Sequence, residues 1–170
     1  RLFASDATAD SLVVFDGRDL GASATISYVV TANNVLKPVG DMKLLSMNVG
    51  LRGPARTFKN FARELESRTE RVFPIDASQV LGQLETITDL RITLPVGWKA
   101  ELPKNVAATS FFGRYESTWS QEGRDVRMVR RISGQRGIFP PQRIADVIAW
   151  LKTVGEDDIE FLSLRPAPVP

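Results

Sequence analysis

A chain of 170 residues with 43% hydrophobic side chains is long enough to bury a substantial core as one domain, or as one domain with an appended subdomain. It has no cysteine and no histidine, which excludes Cys–His and Ser–His–Asp triads, Cys/His zinc sites, c-type haem attachment, disulfides and CxxC redox pairs within this polypeptide. Its 22 basic and 20 acidic residues leave a formal charge of +2, no signature of a nucleic-acid partner, and no run of 18 apolar residues is present to span a membrane.

Arg1 is not a translation start, and Arg1 to Asp10 lacks the charged-then-apolar pattern of a signal peptide. The expectation is a mature or excised piece of a longer protein, with residues 1–10 as an N-terminal extension and 11–164 as a single β-sandwich-like domain. Ser11 to Asp16 is a short apolar run closed by the turn pair Asp16-Gly17, and Ala24, Ile26, Tyr28 and Val30 then alternate with polar neighbours. That is the period of a half-buried strand, and the two segments predict a hairpin. Asn33, Asn34, Pro38 and Gly40 mark a loop before Met42 to Val49, whose Leu45, Met47 and Val49 are placed to face a core.

Leu51 to Arg71 reads as irregular with a short helix, because Phe58, Phe61 and Leu65 have helical spacing after Gly53 and Pro54. Leu90, Ile92 and Leu94 alternate with polar residues until Pro95 and Gly97 break the strand. Tyr115, Ser117 and Trp119 alternate likewise, and Glu122-Gly123 connects them to Asp125–Ile132 as the clearest hairpin in the chain. Apolar residues on both faces of that second strand, Val126 and Met128 against Val129, predict cover on both sides. From Pro141 to Val154, Ile144, Val147, Ile148 and Leu151 form an i, i+3, i+4, i+7 stripe, a long helix for which Gly155 is a candidate C-terminal cap. Ile159 to Leu164 predicts a last strand and 165–170 a proline-rich tail. The fold class is mainly β: an antiparallel sandwich with one long C-terminal helix on a sheet or closing an edge.

Four pieces in order carry a family resemblance: Leu94-Pro95-Val96-Gly97-Trp98-Lys99-Ala100-Glu101-Leu102-Pro103, Phe112-Gly113-Arg114-Tyr115, Ser120-Gln121-Glu122-Gly123, and Gly137-Ile138-Phe139-Pro140-Pro141. With Arg71-Val72-Phe73-Pro74 ahead of them, the stretch from Glu70 to Leu164 resembles a β-rich C-terminal domain of unknown function from bacterial exported transglutaminase-like proteins. The resemblance implies a periplasmic or otherwise exported protein and an upstream papain-fold core as partner. That core's Cys, His and Asp lie upstream, so no catalytic residue is carried onto this chain. A non-catalytic accessory role follows, with no cofactor and no metal.

The residues themselves offer one other function, an independent anion- or glycan-binding module of the cell envelope. Arg124, Arg127, Arg130, Arg131 and Arg136 are the densest charge cluster, and arginine makes bidentate contacts to phosphate or carboxylate. Alternation divides it, with Arg127 and Arg131 on one face and Arg124 and Arg130 on the other. The competing reading is a solvated strand whose arginines pair with Glu116, Glu122 or Asp125. Glu156, Asp157 and Asp158 suggest a hard-cation site but lack the spacing of a calcium loop, so they read as a solvated turn. Trp98, Trp119 and Trp150 fit either a sugar-stacking platform or core packing, the latter favoured for Trp119 beside Tyr115 and Trp150 beside the helix stripe. A hydrolase built on two carboxylates needs a separation that sequence does not measure.

Overall fold

The computed structural model describes residues 7–14, 23–32, 35–47, 54–67, 73–76, 85–135 and 137–167. In chain order the elements are β1 (Ala7–Val14), β2 (Ile26–Ala32), β3 (Leu36–Val39), β4 (Met42–Ser46), α1 (Ala55–Glu66), β5 (Ile75–Asp76) and β6 (Glu85–Thr93). There follow β7 (Trp98–Glu101), β8 (Val106–Ser110), β9 (Gly113–Glu122), β10 (Asp125–Gly134), β11 (Ile138–Phe139), a 3₁₀ turn (Pro141–Arg143), α2 (Ile144–Gly155) and β12 (Phe161–Pro166).

Two antiparallel four-stranded sheets carry the domain, in the orders β6-β10-β9-β8 and β3-β4-β12-β7. Between them lies one apolar cluster, in which Trp119, Val126 and Met128 of the first sheet meet Ala100, Leu162 and Leu164 of the second. Full burial of each such aliphatic side chain contributes roughly 1.5–3 kcal/mol. The expected hairpin forms as β9 and β10, in register from Glu122↔Asp125 to Gly113↔Gly134, and Gly123 supplies the positive φ of +57° that its two-residue turn requires. Val129 does not have the cover its apolar character predicted. The face of β10 bearing Arg127, Val129 and Arg131 is open, because the second sheet and the helices all pack on the opposite face.

That inner face is shared between two partners. Beside the sandwich cluster lies a second one, where Tyr115 and Ala108 of the same sheet meet α1 and α2. Phe58, Ala62 and Leu65 face inward from α1 at helical spacing, so the short helix expected in 51–71 forms and has a packing reason to do so. Val147, Trp150, Leu151 and Val154 do the same from α2, and the Trp150 ring lies 5.7 Å from Phe58 and 5.1 Å from Phe112.

Gly155 is not a left-handed cap. It ends α2 against α1, where an added Cβ would meet Lys59 Cβ at 3.0 Å, so the small residue suits a tight helix contact. The final strand runs beyond Leu164 to Pro166, so Arg165 and Pro166, expected in the tail, pair with Lys99 and Trp98. β1 likewise begins at Ala7, within the expected N-terminal extension. Among the described residues it pairs only with β2, as a two-stranded ribbon. The Asp16-Gly17 turn and Arg136 lie outside the described residues.

Candidate functional site

The two apolar clusters meet along a buried polar seam. Tyr115, Ser117 and Trp119 point inward from β9, with Tyr115 in the helix cluster and Trp119 in the sandwich cluster. Opposite Ser117 in the ladder stands Arg130 of β10, on the same inner face as Val126 and Met128. The turn after α2 brings Asp157 into this seam, its N–H donating to Val154 O at 3.1 Å.

There the carboxylate Oδ2 of Asp157 accepts from Arg130 Nε at 2.9 Å and Nη2 at 2.8 Å, and from the Tyr115 hydroxyl. Arg130 Nε also donates to the Tyr115 oxygen at 2.9 Å. Arg130 is 3% exposed, and Tyr115 and Asp157 are 0% exposed. Burial pushes the Tyr115 phenol above its ordinary range; the nearby Arg130 charge opposes that shift and the Asp157 carboxylate adds to it. The phenol therefore stays protonated and donates. A constellation sealed from solvent reaches no substrate, and its chemistry is that of a clasp joining strands β9 and β10 to the turn after α2. Ser117 Oγ and Asp157 Oδ1 are buried in the same seam without a hydrogen-bond partner among the described residues.

The arginines singled out in the sequence are thus dispersed. Arg130 is inside the protein, which removes it from any anion-binding surface. Arg124 sits in the β9–β10 turn and its Nε donates to Leu94 O at 2.7 Å, bracing the end of β6. Arg127 and Arg131 do share the open face, but their partners come from β6 on the other side, not from Glu116, Glu122 or Asp125. Arg127 makes a bidentate pair with Asp89 at 3.0 and 2.8 Å, and Arg131 lies 4.0 Å from Glu85. The hydrogen bond from Arg127 holds the Asp89 carboxyl below the usual carboxylate range, against a partial opposing effect of burial, and Asp89 in turn raises Arg127. Glu116 is engaged by Arg114, and Asp125 accepts from Thr93.

The acidic triplet also divides. Glu156 is exposed, whereas Asp157 is fully buried, which overturns its reading as part of a solvated turn; the reason is the arginine that neutralises it. Among the described residues no three Asp or Glu side chains converge to hold a metal ion. The tryptophans form no common platform: Trp119 is in the sandwich, Trp150 in the helix cluster with its indole N–H on Ala108 O at 3.1 Å, and Trp98 lies under Lys43 on the second sheet.

Residues 54–164, from the start of α1 into β12, match the family described as a domain of unknown function with a solved structure, DUF3858. The chain belongs to the DUF3858 family. Its matched segment contains the whole clasp and leaves out the β1–β2 ribbon. Among solved structures, a chain from Parabacteroides distasonis ATCC 8503 described as a presumed protease aligns at 20% identity with a TM-score of 0.40. That alignment covers 47% of this chain and only 16% of the other, so the DUF3858 chain spans a small part of that protein's length. No curated protein matches the chain.

Proposed function

We propose that this chain is a non-catalytic accessory domain of an exported, transglutaminase-like protein, and that it positions the papain-fold core of the same polypeptide. The observation that carries this reading is the β1–β2 ribbon. Its register sets Leu12 opposite Tyr28 and Val14 opposite Ile26, which puts four large side chains on one face, each 45–66% exposed. An isolated two-stranded ribbon is marginal in water, and such an apolar face suits burial against a neighbour. The resemblance of the four ordered motifs to the C-terminal domain of transglutaminase-like proteins supports the papain-fold core as that neighbour. Two further facts support a non-catalytic role: the whole sequence lacks cysteine and histidine, and the buried Tyr115–Arg130–Asp157 group is closed to substrate. The alternative, an independent anion- or glycan-binding module of the envelope, has less support because Arg127 and Arg131 already lie against carboxylates.

The test is the intact mass of the protein in an extract of its source cells. A larger polypeptide carrying these residues behind a transglutaminase-like core is the expected result. Finding them as a stable free chain, or finding that the purified chain turns over a transglutaminase or peptidase substrate, would overturn the reading.

A further inference from the structure

We propose that the groove between strand β8 and helix α2 binds an extended peptide of a partner protein by strand addition; this stands apart from the accessory role argued above. Among the described residues the two large sheets have four edge strands, and three are guarded in the ways natural sheet edges usually are. β6 carries Glu85, Asp89 and Arg91, β3 carries Lys37 and Pro38, and β7 carries Lys99 and Glu101. β8, Val106-Ala107-Ala108-Thr109-Ser110, has neither charge nor proline.

The register decides which of its main-chain groups are free. Ser110 pairs with Gly113 across the two-residue turn Phe111-Phe112, so Ser110, Ala108 and Val106 exchange hydrogen bonds with β9. The N–H and C=O groups of Ala107 and Thr109 consequently point away from the sheet, to the open edge. Beside that edge runs a groove of about 500 Å³, within the range of ligand-binding clefts. Its far wall is one stripe of α2, Asp146, Ala149, Trp150 and Thr153, at i, i+3, i+4 and i+7. Trp150 fixes the width by bonding Ala108 O from beneath, so the groove is preformed and little ordering cost attends binding. Charge is confined to one end, where Arg143 pairs with Asp146 and stacks 3.9 Å over Phe111. Between that end and Thr153 the walls are uncharged and, apart from the buried Trp150, small, which fits an extended segment with small, uncharged side chains at its centre. Main-chain bonds to Ala107 and Thr109 supply its affinity and the Ala149 wall its selectivity.

The probe is a phage-displayed library of random octapeptides panned against the immobilised chain, followed by amide hydrogen exchange with the synthesised winners. The expected peptides have small, uncharged centres and slow the exchange of the Ala107 and Thr109 amides. Ala149→Arg, at an exposed helix position, fills the groove and is expected to weaken binding by about tenfold or more. Thr109→Pro deletes one edge donor that no ladder uses and is expected to cost about tenfold. Lack of enrichment, equal binding to the Ala149→Arg protein, or protection of other amides would overturn the proposal. So would peptide-independent, concentration-dependent protection of Ala107 and Thr109, which would give the groove to a second copy of this chain.

Discussion

Replacing Asp157 by alanine isolates what the clasp contributes. The substitution removes the acceptor of two of the Arg130 bonds and of the Tyr115 hydroxyl bond, and takes the Asp157 carboxylate away from a guanidinium that is 3% exposed. Removing one partner of a buried ion pair costs about 3–5 kcal/mol, against a total stability of about 5–15 kcal/mol for a typical domain. For a chain of this size each kcal/mol moves the melting midpoint by roughly 2–4 °C, so the expected fall is roughly 6–20 °C. Urea unfolding followed by far-ultraviolet circular dichroism, with tryptophan fluorescence as a second probe, gives the value. The double variant Asp157→Ala, Arg130→Met removes the buried charge as well and is expected to recover a large part of the loss, since apolar replacement of a buried pair is often neutral. A loss below about 1 kcal/mol for Asp157→Ala, the scale of an exposed pair, would refute the argument that this group is a sealed structural clasp.

Tyr115 gives a test at alkaline pH. Its folded phenol holds the proton more tightly than the unfolded one, whose value is 10.0, so this stability is fully present below about pH 10 and is lost as pH rises beyond it. In Tyr28→Phe, where Tyr115 is the sole tyrosine, absorbance at the tyrosinate band is expected to appear together with unfolding and not before it. Gly155→Ala is expected to destabilise by about 1–3 kcal/mol, because the new Cβ meets Lys59 at 3.0 Å; a neutral change in the unfolding midpoint would show that α1 shifts freely. Arg127→Ala is expected to leave neutral-pH stability nearly unchanged but to bring the Asp89 carboxyl back toward 3.8, the shift being readable by carboxyl-carbon NMR. Leu12→Asp with Ile26→Asp on the ribbon is expected to lower binding of an apolar dye while the main unfolding transition stays in place, since the ribbon is no part of either core cluster. A drop in that transition would mean that the ribbon packs on the domain.

Periodicity made the local elements readable. The alternation of Tyr115, Ser117 and Trp119, the Glu122-Gly123 turn and the stripe from Ile144 to Leu151 each depend on neighbours a few residues away, and each forms where the pattern put it. Period tells which side chains share a face; it does not tell which face is covered. Val129 and Arg130 are adjacent, yet the open side received the valine and the core received the arginine. Local composition likewise made Asp157 part of an acidic turn, because the arginine that neutralises it is 27 residues earlier in the chain.

The sequence by itself determined the β-rich class, the β9–β10 hairpin, the C-terminal helix and the exclusion of cysteine and histidine chemistry, all of which rest on composition or short-range spacing. Only the tertiary structure decided that β12 runs between β4 and β7, that one sheet face serves both a sandwich and a helix layer, and that the densest arginine cluster is no single surface. Those outcomes follow from pairings between segments tens of residues apart, where the free energy lies in which surfaces meet and not in the preference of either segment alone.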